Sequence, residues 1–236
     1  MVSITSRTTY RTTWDDIVNS NCLSSGDIIP ITLKTEEPVE LQVALDESGK
    51  QFLVFRDCLK DKHSMNEEDT NRGGWSESGM RQYAQSVYEI LPDDLQEVIV
   101  PTRIVQCLNG TRSVTEDKLF CLSYTQVCGG TGLRDLEPED SQLDIFKQRR
   151  NRIKFNGYRS NQLSWWWLRS PYTGHTTSFR NVNYDGSVTN YNASGANGVC
   201  FGFCIYPQSK PKRGERQLYV DANSREVFEV LHLANT

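Results

Sequence analysis

Between Ile145 and Gly214 this chain carries a single acidic side chain, Asp185. Calcium takes six to eight oxygen ligands, usually several of them carboxylates, so that stretch excludes a calcium-dependent sugar site of its own. The sequence also has no Cys-x-x-Cys pair, although it holds seven cysteines at 22, 58, 107, 121, 128, 200 and 204. Its three histidines, His63, His175 and His232, stand far apart. A structural metal site needs close paired ligands, so no metal centre is expected. No run approaches the roughly 20 apolar residues of a membrane-spanning helix. The first ten residues lack the apolar core of a secretion signal, which points to a cytoplasmic or virion-associated protein. Neither a glycine-rich phosphate loop nor a nucleophile–base pair in a recognisable context is present, so no cofactor and no catalytic residue is assigned.

What is present is strongly regional. Residues 1–144 hold 13 Lys/Arg against 25 Asp/Glu, whereas residues 145–214 hold 11 Lys/Arg against Asp185 alone. Either the two parts fold against each other and neutralise, or the second offers a positive surface to an anionic partner. The run Lys147–Phe155 is basic, but no nucleic-acid motif accompanies it, so docking on the acidic part is preferred to nucleic-acid binding.

Local patterns predict an α+β chain. Thr13-x-x-Asp16 caps a short helix. Residues 26–33 are strand-like. Val39, Leu41, Val43 and Leu45 alternate with polar residues, and a turn at 46–49 joins them to a strand at 51–55 as a hairpin. Residues 60–74 read as a polar loop. Ser76 is placed as the cap of a helix burying Met80, Tyr83, Ala84, Val87, Tyr88 and Leu91. A second short helix runs from Pro92 or Asp93 to about Val100. Residues 118–123 and 199–206 are strands, Asp185-Gly186 turns a hairpin, and 217–220 with 226–231 form a last one. One domain spans 1–236, with an N-terminal extension (1–25) and a C-terminal hairpin extension (207–236).

The most informative segment is Ser164-Trp165-Trp166-Trp167-Leu168-Arg169-Ser170-Pro171. In a strand, Trp165 and Trp167 share a side and Trp166 takes the other. At least two of the three are expected in the core, and Arg169 is expected as a buried guanidinium gripping backbone acceptors. After it, residues 173–197 are nearly free of large aliphatics and rich in Asn, Tyr, Thr, Ser and Gly. Rigid aromatics beside adaptable polar side chains are the chemistry of a displayed binding surface. The candidate ligand-binding residues are Tyr172, His175, Phe179, Arg180, Asn181, Asn183, Tyr184, Asn190, Tyr191, Asn192 and Asn197.

The order of Trp75-x-x-Ser78, Arg81, Leu91-Pro92-x-x-Leu95, Thr115–Ser123, Trp166–Pro171, Val182-x-x-Asp185-Gly186 and Gly198-Val199 resembles a bacterial and phage domain of unknown function marked by Trp-Trp-Leu-Arg-Ser-Pro. The resemblance covers about residues 26–205. Cys200-Phe201-Gly202-Phe203 replaces the Arg-Pro-Ala-Leu-like ending of that pattern. The domain is similar to the C-type-lectin-like folds of phage receptor-binding proteins and of proteins varied by diversity-generating retroelements. The resemblance implies many short antiparallel strands, two or three helices and a non-enzymatic protein. It further implies a protein or cell-surface receptor as ligand, and oligomers are compatible with it. Residues 170–205 contain no Lys, Glu, Gln, Trp or Met, and every type present is reachable by changing the adenines of an Asn codon. Two alternatives stay open: a structural virion or tail-associated protein, and a cysteine oxidase resembling the formylglycine-generating enzymes, for which Cys200 and Cys204 would be the candidates.

Overall fold

Sixteen strands and four α-helices are formed among residues 4–7, 13–19, 23–130, 136–205, 216–220 and 227–231, which are those the computed structural model describes. The elements are β1 (Ile4–Arg7), α1 (Trp14–Asn19), β2 (Ile28–Thr32), β3 (Pro38–Leu45), β4 (Gln51–Phe55), α2 (Gly79–Glu89), α3 (Asp93–Val98), β5 (Ile99–Val100), β6 (Thr102–Leu108) and β7 (Thr111–Asp117). They continue with β8 (Phe120–Cys121), α4 (Tyr124–Cys128), β9 (Lys154–Phe155), β10 (Leu163–Ser164), β11 (Trp166–Pro171), β12 (Ser178–Val182), β13 (Val188–Asn192), β14 (Phe201–Ile205), β15 (Arg216–Val220) and β16 (Val227–Leu231). Among the described residues, all ladders between these strands are antiparallel, with single parallel bridges at Cys58–Asn156 and Trp166–Gly198, and the class is α+β.

The largest sheet runs β2-β3-β4-β14, and β5 and β8 share the far edge of β14. Every residue of β14 is buried, as a central strand covered on both faces requires. In β3, Val39, Leu41 and Val43 are buried while Glu40 and Gln42 face outward, the alternation of a half-covered strand.

Met80, Ala84, Val87 and Tyr88 carry α2 onto the core, with Trp75 buried just ahead of it. Its cap is Ser78 rather than Ser76: the Ser78 hydroxyl accepts from Arg81 N, and Ser76 instead donates to Gly73 O. Asp117 ties this region together, accepting from Trp75 Nε1 at 2.9 Å and from Arg81 Nε at 2.8 Å.

The Thr13–Asp16 box forms as its spacing implies, with reciprocal bonds between the two residues. Trp14, Ile17 and Val18 are buried with the core, so α1 packs on the body. β1 pairs with β16, giving a three-stranded sheet β1-β16-β15 that joins the two extensions. The strand expected at 118–123 shrinks to β8, because Ser123 already opens α4 with a capping box to Gln126. Cys22, His232 and Tyr206 lie outside the described residues.

Candidate functional site: an aromatic patch on the polar tract

β11, β12 and β13 form a three-stranded sheet in which Trp166 faces Val182, and Trp167 faces Asn181 and through it Thr189. Trp166 and Trp167 therefore sit on opposite faces, and both are 0% exposed. The Trp166 indole donates to Arg152 O and the Trp167 indole to His63 O, at 2.9 and 2.8 Å. Gly198 comes so close to Trp165 that a Cβ there would lie 2.7 Å from Trp165 O. Gly198 N donates to Trp165 O, and Trp167 N donates to Gly198 O. Gly198 is thus a backbone seam against the tryptophan strand, while Val199 O accepts from Leu59 N.

Arg169 is buried, as expected, but its acceptors are mainly side chains. It donates to Cys121 O at 2.9 Å, to Gln126 Oε1 at 2.8 Å and to the Asp140 carboxylate. Through Asp140 the basic segment is joined to the acidic one. Next to it, the Ser170 hydroxyl donates to Glu137 and accepts from Tyr124 N. The second Glu137 oxygen accepts from Thr125 N and Thr125 Oγ1. The Arg-Ser of the motif is therefore the hub that fastens α4 and residues 136–140 to β11.

Burial and the neighbouring Asp140 push the Glu137 carboxyl above the usual carboxylate range, outweighing Arg169 and the hydrogen bonds from Ser170 and Thr125 N. A carboxyl raised in the native state binds its proton more readily there than in the unfolded chain. Its contribution is full below the unfolded value near 4.5 and is lost as pH rises through the native one. Urea midpoints are expected to fall with pH just above 4.5 in the natural protein, and to fall less in Glu137→Gln. Equal slopes in the two proteins would contradict this.

The polar tract does not form one continuous surface. Phe179, Asn181 and Asn197 are buried, which corrects their placement on a displayed face. The reason is the loop at 60–74, expected as solvated, which lies over this part of the sheet. Asn71 Nδ2 reaches Tyr172 O, His175 O and Ser178 O, Met65 N donates to Ala193 O, and Asn197 exchanges backbone bonds with His63. Asp69 holds the end of the tract, accepting from Asn192 Nδ2 and from Ser194 N and Oγ.

The rest divides between two faces. On one, Arg180 pairs with Asn190 and its guanidinium lies between the rings of Tyr124 and Tyr172, 4.9 and 5.1 Å from their centroids. His175 stands beside Tyr172. On the other, half-buried Trp165 meets Tyr184 at 5.4 Å and Tyr191 at 6.0 Å between ring centroids, and Tyr191 also meets Trp167 at 6.2 Å. Tyr184 and Tyr191 are 48% and 43% exposed. Asn183 lies beside them, half-buried, whereas Asn192, exposed, alternates with Tyr191 and shares the face of Arg180 and Asn190.

The hairpin between the two tyrosines closes through Asn183 N to Ser187 O. It uses a three-residue turn with Gly186 at φ 77°, where a side chain would be strained. Asp185 is held there by Ser187 and by Arg149, contacts that keep its carboxyl below its ordinary range. Trp165 was absent from the sequence-derived site. Strand alternation placed it beside Trp167, but only the loop that buries Trp167 and stops short of Trp165 separates their roles.

The other candidates offer less. In the basic run, Lys154 is buried with Nζ on Phe55 O and Arg56 O, Arg152 holds Phe146 O, and Arg149 is spent on Asp185. Burial pushes the Cys200 and Cys204 thiols up, which disfavours the thiolate that cysteine chemistry needs. A cleft of about 520 Å³ lies between Glu40, Asp57, Asn151 and Arg159, but its Arg56 and Glu40 already pair with each other. Among the described residues, no cluster of three or more His, Cys, Asp or Glu could hold a metal ion, and no helix is long and apolar enough to cross a membrane.

A family model described as a domain of unknown function (DUF6273) matches residues 49–207. No curated protein and no solved structure matches the chain.

Proposed function

The chain belongs to the DUF6273 family, and from that premise we propose that it is a non-catalytic binding protein whose ligand seats on Trp165, Tyr184 and Tyr191. One observation carries the reading. Two tyrosines stay more than 40% exposed while leaning on a tryptophan that continues into the rigid core strand. Large rings with few rotatable bonds, held from behind, are what a binding anchor requires. The patch is uncharged, so affinity comes from ring area and hydrogen bonds, not from the basic run.

To the same proposal belong a C-type-lectin-like scaffold, kinship with the variable proteins of diversity-generating retroelements, phage or mobile-element origin, and a protein or cell-surface receptor as partner. The short antiparallel strands and the restricted residue alphabet of 170–205 support them. A reverse-transcriptase gene and a near-copy of the 170–205 coding stretch beside the gene would test the variability.

Labelled protein screened on arrayed glycans and arrayed secreted proteins tests the site. Tyr184→Ala and Tyr191→Ala are each expected to weaken a captured ligand by about 2 kcal/mol or more, with stability moving by about 0.5 kcal/mol or less, as at ordinary surface positions. Tyr172→Ala, on the other face, is expected to leave binding intact. Affinity should be nearly the same at low and physiological salt, since the three rings carry no charge and the neighbouring Arg149 and Asp185 are already paired with each other. Steep salt weakening that ignores both tyrosines would transfer the site to the arginines.

A further inference from the structure

Beneath the patch, Asn181 is 0% exposed, yet neither its Nδ2 nor its Oδ1 has a hydrogen-bond partner in the protein. Such atoms are rare in folded chains, because a buried amide without a partner is costly. Two further orphans belong to the same sheet face: Asn183 Oδ1 and Trp165 Nε1. Strand register puts them together. Asn181 stands opposite Trp167 and Val182 opposite Trp166, so strand alternation carries Asn183 and Trp165, which flank the last pair, onto the face of Asn181. Tyr191, whose ring meets both Trp165 and Trp167, is the exposed outer member of the group. It rests over Gly195, where a Cβ would come within 2.1 Å of the ring.

The set is chemically particular. It has two neutral donors, Asn181 Nδ2 and Trp165 Nε1, and two neutral acceptors, Asn181 Oδ1 and Asn183 Oδ1. No charge is among them. The complement is a neutral group with one N–H and one C=O, carried on a flat body with an apolar face that stacks on aromatic rings. An acetamido group matches a carboxamide in both senses at once, and a pyranose ring supplies the body. Resting on the patch reading above, we propose that Asn181 is the floor of a subsite for an N-acetylated hexosamine of a glycan, reached when the Tyr191 ring and the covering segment 63–71 give way.

The probes are chitotriose, cellotriose (the same linkage without acetamido groups) and the neutral peptide acetyl-Gly-Gly-amide, each titrated against the full chain by tryptophan fluorescence. Chitotriose is expected to bind roughly tenfold or more tighter than cellotriose, because a site built to hydrogen-bond a group rejects the analogue lacking it. Asn181→Leu, which keeps the volume and removes the orphan atoms, is expected to lose that preference without a lower melting temperature. Equal affinity for the two sugars, unchanged preference in Asn181→Leu, or no chitotriose binding at millimolar concentration overturns the subsite. Preference for the peptide overturns the sugar assignment. Array-selected ligands that still depend on Tyr184 and Tyr191 would then leave the patch standing, so the two readings fail separately.

Discussion

Replacing Trp166 or Trp167 with alanine is expected to lower the unfolding free energy by about 3–5 kcal/mol, the range for emptying a buried aromatic site. Both rings are 0% exposed, and they lie on opposite faces of one strand, so each variant hollows a different layer. Trp166 packs against Phe146 at 6.2 Å and under the Lys154 ammonium at 5.1 Å. Trp167 carries the link from β11 to residue 63 and so holds the loop that covers Asn181. Each deletion also strands a backbone carbonyl that had accepted from the indole, which adds to the cavity cost. Urea unfolding of the two variants beside Tyr191→Ala separates scaffold from face. A Trp167→Ala protein within about 1 kcal/mol of the natural one would refute the scaffold role.

Arg169→Ala is expected to cost about 3–5 kcal/mol, since removing one partner of a buried ion pair leaves the other charge without compensation. Asp140 would lose its guanidinium, Gln126 Oε1 and Cys121 O would lose a donor, and the already raised Glu137 would lose the nearby positive charge. The damage should be local at first: hydrogen exchange is expected to rise in α4 and around residues 136–140 before the large sheet. Asp140→Asn keeps the volume and should cost less. If Arg169→Ala unfolds at the same urea concentration as the natural protein, Arg169 is not the hub described here.

The scaffold was legible wherever a local pattern sufficed. The alternation of Val39 to Leu45, the apolar spacing of α2 and the unbroken hydrophobicity of Phe201–Ile205 each announce an element and its buried side. The hairpin β6–β7 was missed although its signal was present: Asn109 and Gly110 take φ 51° and 80°, the two-residue turn that an Asn-Gly pair between two extended runs favours. The helix α4 was missed too, where Ser123 and Gln126 spell a capping box.

The site was less legible for a different reason. Composition marked the tract, but which of its faces stays open depends on residues 63–71 closing over Phe179, Asn181 and Asn197. Those contacts span about a hundred residues and leave no local trace. The pairing of β1 with β16 is hidden in the same way.

The measurement closest to the central claim follows the five tryptophans by ¹⁹F NMR of 5-fluorotryptophan protein, with resonances assigned by single Trp→Phe variants. Trp14, Trp75, Trp166 and Trp167 are buried, and Trp165 alone is partly exposed. Saturation with a ligand returned by the arrays should shift the Trp165 resonance most and leave Trp14 and Trp75 in place. A ligand that saturates the protein while Trp165 stays unmoved would contradict the assignment of the binding site.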